Sequence, residues 1–216
     1  MEKIRVVIAD DHPLMVMGVK DLLAKDANIS VEAEVFTPTE LFNQLEASLP
    51  DVVITDYTMP DDECYGDGIK FIQHLLRRFP EVKLIVLTML SNPLIISSLY
   101  EAGVQAVVLK KHNLNEINRA LHMTRMGLQY YPPGFQKEMR LENGGAVQER
   151  IKSLSPKEFE VLRLFYQGKT VGEIAEHLSR SIKTVSTQKT TAMRKLDVKN
   201  NQDLITFCME HGIFQH

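Results

Sequence analysis

The 216-residue chain contains no tryptophan and only two cysteines, Cys64 and Cys208, far apart in sequence. Two distant thiols make neither a disulfide framework nor a cysteine-rich zinc signature, so a disulfide-stapled secreted scaffold is excluded and a reduced compartment is expected. Long apolar runs are missing as well. Nothing approaches the roughly 18 residues that a membrane span needs, and the first residues show no leader-like pattern. The expectation is a cytoplasmic chain with no membrane partner. Charge of one sign is also scarce, with a net value of −3. That small number hides a division. Residues 1–150 carry 21 acidic and 15 basic side chains, whereas residues 151–216 carry 7 and 10. An acidic front and a basic tail suggest two jobs, and the sign of the tail suits a polyanion. An excess of three cations fits a solvated surface equally well, so charge alone does not decide the matter.

Over residues 1–127, short apolar runs alternate with segments of helical period. Ile4–Ala9, Val31–Phe36, Val52–Asp56, Val82–Leu87 and Ala106–Leu109 read as strands. Between and after them lie helices: one opened by His12-Pro13, one by Thr37-Pro38-Thr39-Glu40, one after Gly68, one from Pro93 to Tyr100, and one from about Asn113 to Met126. The strands are nearly continuous in apolar residues, as expected of a parallel sheet covered on both faces. Alternation of this kind implies a doubly wound α/β domain with right-handed crossovers.

Sites in such sheets lie at the carboxyl ends of the strands. The first strand ends in Asp10-Asp11, the third in Asp56, the fourth in Thr88 and the fifth in Lys110. Taken singly these residues are bland: an acid after a strand is usually a turn or a cap, and a lysine is usually a solvated charge. Taken together they place three carboxylates, a hydroxyl and a cation on one edge. Carboxylates so close repel unless a proton or cation lies among them, and a hard, oxygen-seeking ion such as Mg2+ is the natural filler.

This constellation resembles the receiver domain of bacterial two-component response regulators, a flavodoxin-like fold, over the whole front part of the chain. The resemblance implies that Asp56 accepts a phosphoryl group from a phosphohistidine on a histidine kinase or phosphotransfer partner. Asp10 or Asp11, or both, together with Asp56 and the backbone carbonyl of Thr58, would hold Mg2+. Lys110 would pair with one phosphoryl oxygen and Thr88 would hydrogen-bond another. The chain departs from the family pattern in three places. The loop from Pro60 to Gly68 is long. Val107 stands where the family often has a switching Tyr or Phe. Lys111 follows Lys110 where many receivers have Pro.

Tyr130-Tyr131-Pro132-Pro133-Gly134 then breaks the pattern, Phe135, Met139 and Leu141 suggest a short helix, and Asn143-Gly144-Gly145 is the most flexible composition in the chain. Residues 128–152 are therefore read as a linker between a domain at 1–127 and another at 153–216. In the tail, Ser155-Pro156-Lys157-Glu158 and Thr170-Val171-Gly172-Glu173 are helix starts of the capping-box type. A tight turn near Ser179 precedes Ser181, the expected N-cap of a longer helix, Ile182–Leu196. A further helix is expected from about Gln202 to Met209. Two helices, a tight turn and a polar-faced third helix make a helix-turn-helix. On the third helix the small hydroxyls of Thr184, Ser186, Thr187 and Thr190 are flanked by Lys183, Lys189, Arg194 and Lys195. Small hydroxyls reach base edges while cations hold phosphates.

The run Leu154-Ser155-Pro156-Lys157-Glu158, Gly168, Ile174-Ala175, Ser181-Ile182-Lys183-Thr184-Val185 and Lys195-Leu196 resembles the four-helix DNA-binding domain of the LuxR/NarL/FixJ family. The stretches Tyr65–Gly68 and Ser181–Lys189 are most similar to the Rcs-type regulators of capsule and envelope stress. The joint resemblance implies a dimeric transcription regulator, not an enzyme, whose phosphorylation at Asp56 controls binding to promoter DNA. It also leaves room for a mode without phosphorylation, or as a heterodimer with an auxiliary helix-turn-helix protein. A rival reading, a phosphatase using Asp10 as nucleophile, leaves the basic tail without a purpose.

Overall fold

The structure is a computed structural model and describes residues 3–60, 62, 64–135, 146–211 and 213–214. It divides into two compact units, the first ending at Phe135. The first unit runs β1 (Ile4–Ala9), α1 (Pro13–Leu23), β2 (Ile29–Val35), α2 (Pro38–Ala47), β3 (Val52–Asp56), α3 (Gly68–Arg78), β4 (Lys83–Thr88), α4 (Pro93–Ala102), β5 (Ala106–Leu109) and α5 (Asn115–Arg125). All five strands join one parallel sheet in the order β2-β1-β3-β4-β5. The doubly wound α/β architecture expected from the alternation of strands and helices is therefore the one observed.

Burial explains why the strands were legible. Every residue of β3 and of β5 is buried. On one face Val16, Val19 and Leu23 of α1 and Ile117, Ala120 and Leu121 of α5 pack on Ile8, Ile54 and Leu87 of the sheet. From α2 and α3 come Leu41, Phe42, Leu45, Phe71, Ile72 and Leu75, all buried. The edge strand β2 has a half-exposed, alternating pattern and begins at Ile29, paired with Ile4, two residues before the apolar run at Val31.

The long loop after β3 is tied down. One carboxylate oxygen of Asp62 accepts the backbone N–H of Thr39 at 2.7 Å, at the start of α2. The other accepts the N–H groups of Cys64 and Tyr65 at 3.0 and 2.8 Å. The Tyr65 ring then stacks on Phe42, with centroids 3.8 Å apart and planes 2° from parallel. Gly68, at φ 67°, donates its N–H to the Tyr57 carbonyl at 2.9 Å. That left-handed conformation favours a residue without Cβ.

Past α5 the chain runs beside β5, where Tyr130 bridges Ala106 and its N–H donates to the Gln105 carbonyl at 3.1 Å. The Tyr100 hydroxyl of α4 donates to the Tyr130 carbonyl at 2.5 Å, and the Tyr130 hydroxyl donates to Glu116. Tyr100, Tyr131 and Phe135 form an aromatic cluster. The expected flexible spot at 143–145, and with it Met139 and Leu141, lies outside the described residues.

The second unit contains α6 (Ala146–Lys152), α7 (Pro156–Tyr166), α8 (Val171–His177), α9 (Ile182–Leu196) and α10 (Asn201–Glu210). Both capping boxes form: Ser155 with Glu158, and Thr170 with Glu173. The Ser181 and Asn200 side chains accept the N–H groups of Thr184 and Asp203 and start α9 and α10. Val161, Leu164, Ile174, Ala175, Leu178 and Val185 make the small core. Within it Arg163 and Glu160, both almost fully buried, pair through two hydrogen bonds of 3.1 and 2.9 Å.

Candidate functional site

β1 and β3 lie side by side with Ala9 next to Thr55, and β3 and β4 with Asp56 next to Leu87. Asp10, Asp56, Thr88 and Lys110 consequently emerge level at the C-terminal edge, at the reversal of strand order between β1 and β3. Asp10 is fully buried and Asp56 is 4% exposed. The Lys110 ammonium sits between them, 2.8 Å from Asp10 Oδ2 and 2.7 Å from Asp56 Oδ2. The backbone N–H of His12 donates to Asp10 Oδ1 at 3.0 Å, whereas Asp10 Oδ2 has no aligned hydrogen-bond donor. Asp11 is half-buried, with Oδ1 2.8 Å from His12 Nδ1.

Burial pushes the Asp56 carboxyl up from its ordinary 3.8 to about 6, against Lys110 and with help from Asp10; a backbone hydrogen bond from Thr58 works the other way. Burial also works against the Lys110 charge, but the two carboxylates outweigh it and hold that ammonium above its ordinary range. One cation thus faces two buried carboxylates and a third nearby, and the site is left electronegative. Asp10, Asp11, His12 and Asp56 each bring a ligand atom to within 4.8 Å of the others. Hard oxygen donors, an unaligned buried Asp10 Oδ2 and an excess of negative charge all fit a divalent cation. The Thr88 hydroxyl, 1% exposed, accepts the Leu90 N–H at 3.0 Å at the head of the loop into α4.

In the second unit the outward side of α9 carries Lys183, Thr184, Ser186, Thr187 and Thr190, all exposed. Thr184 is hydrogen-bonded to Ser181, and Thr187 donates back to the Lys183 carbonyl at 2.8 Å. Two expected members of the face lie elsewhere. Lys189 is 8% exposed, and its ammonium donates to Asn201 Oδ1 at 2.7 Å. Lys195 donates to Glu158 Oε2 and to the Ser153 carbonyl, at 2.7 and 2.8 Å. For Lys189 the reason is period. Val185, Lys189, Ala192 and Leu196 follow one another at four, three and four residues, so Lys189 belongs to the inward stripe.

Residues 6–122 match the model of the response regulator receiver domain, and residues 152–208 that of the bacterial regulatory proteins of the luxR family. The chain is a response regulator of the NarL/FixJ type. The transcriptional regulatory protein RcsB of Escherichia coli (strain K12) is 40% identical to this regulator, covering 96% of the chain and 94% of RcsB. The DNA-binding transcriptional activator EvgA of the same organism is 31% identical, covering 96% and 98%. A solved structure of RcsB from Salmonella enterica serovar Typhimurium, bound to promoter rprA in the presence of phosphomimetic BeF3-, is 39% identical. It aligns with a TM-score of 0.82 over 96% of this chain and 99% of that one.

Some features of this response regulator were not singled out from sequence. Ile182, at the first position of α9, is 63% exposed, an unusual place for a large apolar side chain. Gln188 accepts from Arg180 at 3.2 Å and borders the hydroxyl face, as does Arg194, which is exposed as expected from its place on the helix. The Arg180 contact depends on the turn geometry between α8 and α9, which no local signal encodes. Among the described residues, no helix is long and apolar enough to cross a membrane.

Proposed function

We propose that this response regulator accepts a phosphoryl group on Asp56 and that the modified state binds promoter DNA through α9. The observation that carries the reading is the buried Asp10–Lys110–Asp56 cluster at one sheet edge, in a chain that also carries a helix-turn-helix. An Asp56 carboxylate oxygen attacks the phosphorus of a phosphohistidine on a histidine kinase or phosphotransfer partner. The P–N bond breaks and the imidazole leaves. Asp10, Asp11, Asp56 and the Thr58 carbonyl would hold Mg2+, which would supply charge neutralisation between the anionic carboxylate and the anionic phosphoryl group. Lys110, already bonded to Asp56, is placed to pair with a phosphoryl oxygen. A hydroxyl both accepts and donates. Thr88 therefore keeps the Leu90 N–H while donating to the phosphoryl group, and the loop into α4 moves with it.

The domain limits that go with this reading are 1–127 for the receiver, 128–152 for the linker and 153–216 for the DNA-binding domain. Lys183, Thr184, Ser186, Thr187 and Thr190 face the major groove. The protein works in the cytoplasm as a homodimer on paired half-sites and turns over no substrate of its own. The promoter-bound RcsB relative supports the DNA-binding half, and the phosphomimetic present there supports the switch.

The test is labelling with acetyl phosphate in Mg2+, resolved by phosphate-affinity electrophoresis, followed by DNA binding with and without the label. The expected result is one phosphoryl group, labile to alkali and to hydroxylamine as an acyl phosphate is, lost in Asp56→Ala, and tighter binding when it is present. Labelling that persists in Asp56→Ala would overturn the site. Equal DNA affinity in both states would overturn the switch and leave DNA binding standing. Asp56→Ala protein that still activates some promoters would show the additional mode without phosphorylation, alone or with an auxiliary partner.

A further inference from the structure

Ten basic residues lie in the tail from residue 151 on, and a helix that meets DNA is expected to turn its cations outward. Lys189 sits in the middle of α9 and does the reverse. It occupies the core stripe with Val185, Ala192 and Leu196, all of them buried. Its ammonium lies 3.4 Å from the centre of the Phe165 ring, near the end of α7. It also donates to Asn201 Oδ1 at 2.7 Å, at the first residue of α10. Phe165 itself packs on the core of the unit. One side chain therefore joins α9 to α7 and to α10. A core position on a helix is normally filled by an apolar residue of any suitable shape, which packs without fixing direction. Here an ammonium replaces it, with one oxygen and one ring face as directional partners. Burial draws its pKa below the ordinary lysine range, as expected of an ammonium removed from water.

We infer that Lys189 is a positioning residue for DNA recognition: clamped between Phe165 and Asn201, it fixes the rotation of α9 about its axis and so the direction in which Ser186, Thr187 and Thr190 face, and it contacts no phosphate. The inference rests on the reading of α9 as the recognition helix. Rotation matters because a hydroxyl reaches a base edge only over a short distance, whereas a flexible surface lysine finds a phosphate from many angles. Loss of the clamp therefore lowers discrimination between sequences more than it lowers overall attraction to DNA.

The experiment uses the full chain and two 30-base-pair duplexes: one selected by the wild-type protein from a random pool, and one with the same composition scrambled. Affinity for each is measured over a salt series. A residue that neutralises a phosphate contributes about one to the slope of log affinity against log salt. In Lys189→Met the slope is expected to stay at the wild-type value while the selected-to-scrambled ratio falls about tenfold or more. Asn201→Ala and Phe165→Leu, which remove the partners instead, are expected to lower the ratio in the same way. They keep the test open if Lys189→Met fails to fold. Lys183→Met is the contrasting variant, expected to lower the slope by about one on both duplexes. A drop of about one in the slope of Lys189→Met would overturn the inference and make Lys189 a phosphate contact. A melting temperature lowered with the ratio unchanged would overturn it in favour of a purely structural lysine. Wild-type protein that prefers no duplex would instead remove the DNA-recognition reading beneath it.

Discussion

At the scale of single residues, Asp56 is held in a state that costs the metal-free fold. Its carboxyl titrates at about 6 in the folded chain against an ordinary 3.8. The folded state thus keeps its proton to higher pH than the unfolded one, and stability falls as pH rises from about 4 through about 6. Above that window the full penalty is present, about 3 kcal/mol on the scale of 1.36 kcal/mol per pH unit. Asp56→Asn removes the titrating group and keeps an acceptor for Lys110. In chelated buffer it should melt several degrees above wild type at pH 8, with the gap closing toward pH 4. A gap of the same size at both pH values would show that desolvation of Asp56 is not its source. The residues of this site were legible because each stands at the end of an apolar run, where the sheet edge gathers them. Their inequality was not legible. Nothing in the sequence separates Asp10, fully buried with one oxygen lacking an aligned donor, from half-buried Asp11, since that depends on the path into α1.

At the scale of elements, local chemistry wrote the helix starts, and Ser155, Thr170 and Ser181 each cap the helix assigned to them. The end of α9 is the weaker joint. Asp197 closes it at φ 58°, ψ 42°, the left-handed conformation that glycine adopts without cost. Asp197→Gly should therefore stabilise the second unit by about 0.5–1 kcal/mol, since a side chain in that region is strained. Its ion pair with Arg150, 3.7 Å long with Asp197 82% exposed, offsets little. Thermal denaturation of the isolated 146–216 segment and of the full chain would show the gain; a loss in both would mean that Arg150 holds the turn more firmly than geometry implies. Elements defined by distant partners escaped the sequence reading. The loop after β3 was recognised as long, but its attachment through Asp62 to Thr39 and through Tyr65 to Phe42 spans more than twenty residues in each case. The same holds for residues 130–135, whose place beside β5 depends on Tyr100 and Gln105.

At the scale of the whole molecule, charge separates two jobs, but counting overstates the tail's outward charge. Arg163 is spent on Glu160, Lys195 on Glu158 and Lys189 on Asn201. Beside the hydroxyl face this leaves Lys183 and Arg194, so what α9 offers a polyanion is direction rather than quantity. The front holds the opposite imbalance, concentrated at one sheet edge, and a divalent cation should act there first. A ligand that binds only the folded form stabilises it by about 2.7 kcal/mol at a hundredfold excess over its Kd. Saturating Mg2+ should therefore slow amide exchange in peptides from β1, β3 and β5, whose ends carry Asp10, Asp56 and Lys110. Exchange in α7 and α8 should stay as it was, because no residue there belongs to the acidic cluster. Hydrogen exchange read by mass spectrometry resolves the two sets in one sample, and Asp56→Asn should weaken the effect in the first set. Equal slowing in α7 and α8 would mean that the metal acts on the chain as a whole, and the sheet edge would lose its claim to be the place where the signal enters.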